Sequence, residues 1–238
     1  MSQNILIIAR KELRAYLNSP ASYIALFLFL IISSYFFASP LFMIGQATLD
    51  TLFMWVPIVF LLFVPAITMN LISREKDSGT IESLSTLPLT ETEIVVGKFM
   101  SSVVLVGIGL CFTLIHFFTI ALLGQNVDFG AIVCGYIGLF LMGAAYSAIG
   151  IFASTLSNNQ IISFIIALLI IFFLFILQFI LFFMPDALGE FFQYLSSEYH
   201  FSQMARGIID SRNVIYFGSL IAIFLKLAIV ILESRKWN

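Results

Sequence analysis

Residues 160–184 read QIISFIIALLIIFFLFILQFILFFM, an uninterrupted run without a charged side chain. A helix crosses the hydrocarbon core of a bilayer with roughly 20 mostly apolar residues, so this run is long enough to span a membrane. The rest of the chain has the same character: of its 238 residues 61% are hydrophobic and only 10% are charged, and the mean hydropathy is +1.08. These values exclude an ordinary soluble core and predict an all-α membrane protein with one domain, 1–238.

Five further apolar runs resemble the first in length. Two prolines, Pro57 and Pro65, interrupt the second of the six, and each leaves a backbone carbonyl without its N–H partner. We therefore expect that helix to be kinked and packed inside the bundle. The fifth run is almost entirely Ile, Leu and Phe, and we expect it to be the span most exposed to lipid. The six predicted spans are 21–44, 50–72, 94–123, 130–155, 160–184 and 213–233.

The segment 2–18 precedes the first span and is not itself a span. Apolar residues recur in it near helical spacing, from Ile5 to Leu17, which predicts an amphipathic helix lying in the membrane interface. Asn18, Ser19 and Pro20 then break the chain and start the next helix. The charged residues of this interfacial helix are Arg10, Lys11, Glu12 and Arg14.

Lysine and arginine are divided unevenly between the two sides of the predicted membrane. With the N-terminus inside, the inner segments carry eight of them and the outer segments two, so we expect both termini and the segment 74–93 to be cytoplasmic. The inner set is Arg10, Lys11, Arg14, Arg74, Lys76, Lys98, Arg235 and Lys236; the outer set is Arg206 and Arg212.

The segment 74–93 is a polar island between two apolar runs. Asp77, Ser78 and Gly79 are suited to start a helix, and apolar residues at three-residue spacing would give that helix one narrow apolar face that Pro88 ends. Thr90 and Glu93 then form a capping box before the next span. Two interpretations stay open on these residues alone: a charged loop that only enforces topology, or a short rigid helix that transmits force between a soluble partner and the membrane. The apolar face consists of Ile81, Leu84 and Leu87.

The segment 185–212 lies between the last two spans and mixes aromatic with charged residues. Two short re-entrant half-helices would explain this mixture if protein or water covers their ends. An aromatic belt at the membrane interface is the alternative.

Several functional signatures are missing. The sequence contains no HExxH, GxSxG or CxxC motif, and Gly97–Lys98 lacks the other residues of a phosphate-binding loop. We therefore expect no catalytic residue, cofactor or metal on this chain, and the lack of a basic stripe argues against nucleic acid as a partner.

Ionisable residues inside the spans are nearly absent, which argues against a standalone ion-coupled carrier. We interpret His116 as a helix-packing residue, and we expect Lys226 to pair with a polar group between helices. Gly143, Ser147 and Gly150 allow close helix approach in the fourth span, either within one protomer or between protomers.

Three stretches resemble the ABC-2-type transporter permeases. The first is REKDSGTIE at 74–82 with LPLT at 87–90 and EIVVGKF at 93–99, the second is ARKEL at 9–13, and the third runs from HFS at 200–202 to RGIIDSR at 206–212. They occur in the family's order and spacing over essentially the whole chain. Within the family, the chain looks most like permeases associated with gliding motility.

This resemblance implies a six-span permease subunit of an export-type complex in a bacterial inner membrane. It implies a cytoplasmic coupling helix between the second and third spans, which contacts a separate ABC ATPase that binds ATP and Mg²⁺. It also implies a second permease half, in a homodimer or heterodimer, and contact with membrane lipids. A scaffold that anchors an ATPase and moves no substrate is the alternative function. The coupling residues would be Glu75, Asp77, Gly79, Thr80, Ile81, Glu82, Leu84, Leu87 and Pro88.

Overall fold

In a computed structural model the chain folds into a bundle of helices, and the structure describes residues 2–43, 45, 48–80, 89–123, 128–180, 186–208 and 210–234. These residues contain helices and no strand, which confirms the predicted all-α fold. The helices are α1 (Ser2–Leu17), α2 (Pro20–Met43), α3 (Asp50–Thr68), α4 (Ser73–Asp77), α5 (Glu91–Leu123), α6 (Phe129–Leu156), α7 (Gln160–Ile180), α8 (Asp186–Leu195), α9 (Ser197–Ala205) and α10 (Ser211–Ser234).

Six of these helices are long and apolar enough to cross a membrane: α2, α3 together with α4, α5, α6, α7 and α10. They correspond to the six predicted spans. The helix α2 begins at Pro20, where the Asn18–Ser19–Pro20 break predicts a new helix.

Polar caps set several helix starts. The main-chain N–H of Thr90 donates to Glu93 Oε2 at 3.0 Å, and the N–H of Glu93 donates to Thr90 Oγ1 at 3.2 Å. This is the predicted capping box, and it starts α5. At α6, the Asp128 carboxylate accepts from Ala131 N at 3.1 Å. These local contacts satisfy N–H groups that the first turn of a helix leaves free.

Two helices form the centre of the bundle. In the apolar stretch of each candidate span, the buried share of the residues is highest in α6, at 72%, and in the α3–α4 span, at 61%. It is 33% in α7 and 22% in both α2 and α10. The burial of α3, including Pro57 and Pro65, agrees with its predicted place inside the bundle. The expectation that the fifth span is the most exposed is wrong, because α2 and α10 bury less. Hydropathy does not distinguish these cases, since lipid is as apolar as the side chains of neighbouring helices.

Contacts identify the two ends of the bundle. The first is the α1 end, where Ser154 near the end of α6 meets Ile72 between α3 and α4. The second is the α9 end, where Gly207 lies against Ala131 at the start of α6. Two short helices, α8 and α9, occupy the segment predicted to hold half-helices, and α9 buries His200, Phe201 and Met204 against the bundle.

Candidate functional site

One buried lysine joins three helices at the α1 end. Lys98, in the second turn of α5, is only 1% exposed. Its Nζ lies 3.0 Å from Glu12 Oε1 on α1 and 2.8 Å from Glu75 Oε1 on α4. A buried ammonium group is costly unless it is paired, and two carboxylates pair it here. We call these three residues the Lys98 triad; the triad ties the interfacial helix to the start of the predicted coupling segment and to a spanning helix.

The helix α1 packs closely against α5. A Cβ atom added at Gly97 would lie 2.8 Å from Ile8 Cβ and 3.1 Å from the Ile5 carbonyl oxygen, so the absence of a side chain permits this approach. Asn4 Nδ2 donates to Glu93 Oε1 at 3.1 Å one turn earlier on α5. Three charged residues of α1 are exposed: Arg10, Lys11 and Arg14.

The joint between α3 and α4 is held by α6. The Ser154 hydroxyl accepts from the main-chain N–H groups of Ile72 and Ser73, at 3.0 and 2.9 Å, and donates to the Met69 carbonyl at 3.0 Å. A hydroxyl has one proton and two lone pairs, so the hydrogen-bonding capacity of the Ser154 hydroxyl is fully used. The Lys76 ammonium donates to the carbonyl of Thr155, the next residue on α6. The joint therefore has a defined position relative to the central helix.

A tyrosine of α1 also contacts the end of α3. Tyr16 is 6% exposed, and its hydroxyl donates to the Ile67 carbonyl at 2.6 Å. Burial, with a smaller contribution from the Glu12 carboxylate, raises the pKa of the Tyr16 phenol well above its ordinary value, so the phenol stays a donor. It satisfies one of the carbonyls that the end of a helix leaves free.

A polar cavity of about 240 Å³ lies beside the Lys98 triad, between α1 and the α3–α4 joint. Glu12 and Glu75 line it together with Lys11 and Arg74. The second carboxylate oxygen of Glu75, Oε2, is buried and has no hydrogen-bond partner among the described residues. One acceptor next to the cavity is thus available to a donor from another molecule.

The structure places part of the predicted coupling segment. Glu75 and Asp77 lie in α4, and Gly79 follows at φ 67°, the left-handed conformation that commonly ends a helix. The Ser78 hydroxyl donates to the Arg74 carbonyl at 2.9 Å, and the Thr80 hydroxyl donates to the Glu75 carbonyl at 3.3 Å. Asp77–Ser78–Gly79 therefore ends a helix that the sequence analysis did not predict. The predicted helix after it, with Ile81, Glu82, Leu84, Leu87 and Pro88, lies outside the described residues.

Comparison with protein families assigns the chain. Residues 39–234 match the family described as ABC-2 family transporter protein. The chain belongs to this ABC-2 transporter family. No curated protein sequence matches it. The family and the six apolar helices make it a multi-pass membrane permease, whose domain type is not itself catalytic.

The small residues of α6 in this ABC-2 permease pack within the protomer. A Cβ atom at Gly143 would lie 2.6 Å from Val106 Cγ1 on α5, and one at Gly150 would lie 2.0 Å from Thr68 Oγ1 on α3. Ser147 between them is fully buried. The sequence left a protomer interface as the alternative; these contacts place all three residues in the interior of a single protomer.

The two isolated ionisable residues of the spans differ in their surroundings. His116 is buried, its Nε2 lies 3.1 Å from Ser34 Oγ, and its ring stacks on Phe37 with 4.4 Å between centroids. This fits a helix-packing histidine. Lys226 is exposed on α10 and has no polar partner in the described part of the chain, so the expected pairing between helices is wrong. The reason is that Lys226 lies on the outward face of a peripheral helix.

The sequence did not indicate Lys98 as a site residue, because the lysine entered only the charge distribution, the family resemblance and the test for a phosphate-binding loop. A usable signal was present: lysine is almost never buried without a partner, and this one lies a full turn inside an apolar span. The sequence does not show which carboxylates pair with it, since Glu12 and Glu75 are distant along the chain.

Proposed function

We propose that this ABC-2 permease is the membrane subunit of an export-type complex in a bacterial inner membrane. A separate cytoplasmic ABC ATPase, which binds ATP and Mg²⁺, would drive movement of a substrate through it. The observation that carries the proposal is the Lys98 triad. It supports a mechanical role for the segment after α4, because the start of that segment is attached to the bundle through buried charges.

The contacts define a route for force. A displacement of 81–88 by the ATPase would act first on α4, which precedes that segment in the chain. From Glu75 it passes through Lys98 to α5 and to α1, and from Lys76 and the Ser154 contacts it passes to α6. Since α6 is the most buried span, motion at this joint reaches the centre of the protomer. Closure of an ATPase pair would then rock two permease halves.

The cavity beside the triad supports a protein partner at this end. Its Glu75 Oε2 has no donor within the described chain, and a buried acceptor without a partner costs free energy. A donor on the ATPase would satisfy it. Docking would thus stabilise the triad and the contact together.

The charge distribution supports a cytoplasmic position of the α1 end and of both termini, because this end carries most of the lysines and arginines. The exposed leucine, isoleucine and phenylalanine side chains of the spans fit contact with lipid and with a second permease half. The resemblance to gliding-motility permeases supports motility as the process served. Deleting the gene and measuring colony spreading tests this last point.

Charge reversal tests the ATPase contact. Glu75→Lys is a poor choice, because it would place a second ammonium group against Lys98. Glu82→Lys avoids this pair, and Glu233→Lys at the exposed end of α10 is the matched control. We expect Glu82→Lys to lose co-purification with a co-expressed ABC ATPase partner and to keep the thermal midpoint of the wild type, since like charges at an interface cost several kcal/mol.

The control should keep both properties. Wild-type binding and ATP hydrolysis in the Glu82→Lys complex would contradict the coupling role. Transport by the reconstituted complex separates a permease from a scaffold: ATP hydrolysis without movement of any substrate would favour the scaffold.

A further inference from the structure

The α9 end of the bundle contains a second cavity, remote from the Lys98 triad. It has a volume of about 370 Å³ and lies between the first turn of α3 and the helix α9. Asp50, Phe53 and Met54 line it from α3, and Glu198 and Ser202 line it from α9. Arg206, directly after α9, completes the polar lining. The cavity is therefore lined by two carboxylates, one guanidinium group and an apolar wall.

Glu198 has an unusual environment for a carboxylate. Its Oε2 is buried, and no hydrogen-bond donor of the described chain reaches it. Arg206 lines the same cavity but makes no ion pair with Glu198 within 4 Å among the described residues. Removal from water raises the pKa of Glu198 to about 8. A carboxylate in such a place gains more than an exposed one from a cationic donor.

The helix that carries Glu198 is held firmly. The Ser197 hydroxyl lies 2.8 Å from the Tyr146 hydroxyl of α6. His200 Nδ1 lies 2.8 Å from the Asn213 side chain of α10. Close packing adds to this, because a Cβ atom at Gly138 of α6 would lie 3.1 Å from Phe201 Cδ2. The position of Glu198 is thus set before any ligand arrives, which lowers the cost of binding.

The arrangement of charges specifies a ligand. An ammonium group has three donors, enough for Glu198, Asp50 and the Ser202 hydroxyl. Arg206 would repel a simple cation, but it would pair with an anionic group on the same molecule. Glu198 and Arg206 line the same cavity without forming an ion pair, so a ligand that reaches both must carry its two charges on either side of a short spacer, which can lie along Phe53 and Met54.

We propose that this cavity binds a zwitterion with a primary ammonium group at Glu198 and an anionic group at Arg206. A free amino acid-like molecule and a phosphatidylethanolamine headgroup share this chemistry. The binding does not depend on the ATPase, and it concerns residues outside the coupling site.

The probe for this proposal is 6-aminohexanoate. n-Hexylammonium and hexanoate, which each lack one charge, are its controls. The purified permease is reconstituted in phosphatidylcholine nanodiscs, whose quaternary headgroup has no N–H donor, and the thermal midpoint is followed against probe concentration. A ligand that binds only the folded state raises this midpoint in a saturable way. We expect this for 6-aminohexanoate, a weaker effect of n-hexylammonium and none of hexanoate.

Variants assign the effect to the cavity. Glu198→Gln keeps the side-chain shape and should weaken the apparent affinity about tenfold or more, the usual effect of losing a charge-assisted hydrogen bond. Asp50→Asn should weaken it less, and it serves if Glu198→Gln does not fold. Arg206→Gln should make 6-aminohexanoate no better than n-hexylammonium. Asp210 is an acidic residue at the same end of the bundle, and it pairs with Arg212. Asp210→Asn is therefore the matched control and should bind like the wild type.

Nanodiscs of phosphatidylethanolamine distinguish the two sources of ligand. If the lipid headgroup occupies the cavity, 6-aminohexanoate will shift the midpoint in phosphatidylcholine and lose its effect in phosphatidylethanolamine. A free ligand will act in both. The proposal is overturned if the wild type shows no saturable shift in phosphatidylcholine, or if neither Glu198→Gln nor Asp50→Asn weakens binding.

Discussion

The Lys98 ammonium on α5 lies 2.8 Å from the carboxylate of Glu75 on α4, and the second carboxylate of the triad, Glu12, comes from α1. Lys98 has almost no exposed surface, whereas the side chains of Glu75 and Glu12 keep 17% and 14% of theirs. Charged groups from three helices therefore meet at one point at the edge of the bundle. Loss of the lysine leaves two carboxylates facing each other.

Replacing Lys98 by methionine tests how much the triad contributes to the stability of the protein. We expect Lys98→Met to lower the free energy of unfolding by about 3 kcal/mol, the lower part of the range for breaking a buried ion pair, because both carboxylates remain partly solvated. Denaturant titration of the purified protein measures it. Lys11→Met is the control: this lysine is 63% exposed and lies 3.7 Å from Glu12, so its loss should cost about 0.5 kcal/mol at most. Equal effects of the two substitutions would contradict a structural role of the triad.

The contact between α3 and α6 predicts the effect of a single added methyl group. In Gly150→Ala the new Cβ would lie 2.0 Å from Thr68 Oγ1 and 2.7 Å from Thr68 Cβ, so the two central helices must move apart. We expect a loss of about 1–3 kcal/mol in the free energy of unfolding. Gly218→Ala on α10 meets nothing within 4 Å and should be neutral or stabilising by up to about 1 kcal/mol. A stable Gly150→Ala protein would show that this packing is looser than the structure indicates.

Glu198 predicts a pH dependence of stability. Burial raises the pKa of its carboxyl group from an ordinary value of 4.5 to about 8. Between these values the folded protein holds a proton that the unfolded chain has released, so the free energy of unfolding contributed by this group falls as pH rises from about 4.5 to about 8. Thermal midpoints measured over this range should fall more steeply for the wild type than for Glu198→Gln. Asp50 and Arg206 line the same cavity, Tyr146 lies within electrostatic range of Glu198, and His200 follows two residues later on α9. All four are present in both proteins, so the comparison isolates the effect of Glu198; parallel profiles would refute the prediction.

Cysteine labelling tests the proposed orientation. Ser78 and Ser211 are exposed at opposite ends of the bundle, whereas His200 is buried and would label poorly. In a background of Cys111→Ser and Cys134→Ala, we expect Ser211→Cys to react with a membrane-impermeant maleimide on intact cells. Ser78→Cys should react only after the inner membrane is opened. Labelling of both from the same side would overturn the topology.

Local features were the most predictable part of this fold. The Thr90–Glu93 capping box and the helix start at Pro20 follow from neighbouring residues, and the structure contains both. Glu12 and Lys226 illustrate the limit. Each is a charged residue on a helix, and only the position of that helix decides that Glu12 turns inward to Lys98 while Lys226 faces outward.

The sequence by itself determined that this chain is an all-α membrane protein with six spans, because length and hydropathy suffice to identify a helix whose backbone must pair internally in lipid. It also indicated the family, through motifs that each consist of neighbouring residues in the chain. Only the tertiary structure decided that α3 and α6 are central, that Gly150 packs inside a protomer and that Glu12, Glu75 and Lys98 meet. The physical reason is that the bundle-facing and lipid-facing sides of a span are equally apolar, so the sequence pattern does not show which side has a neighbour.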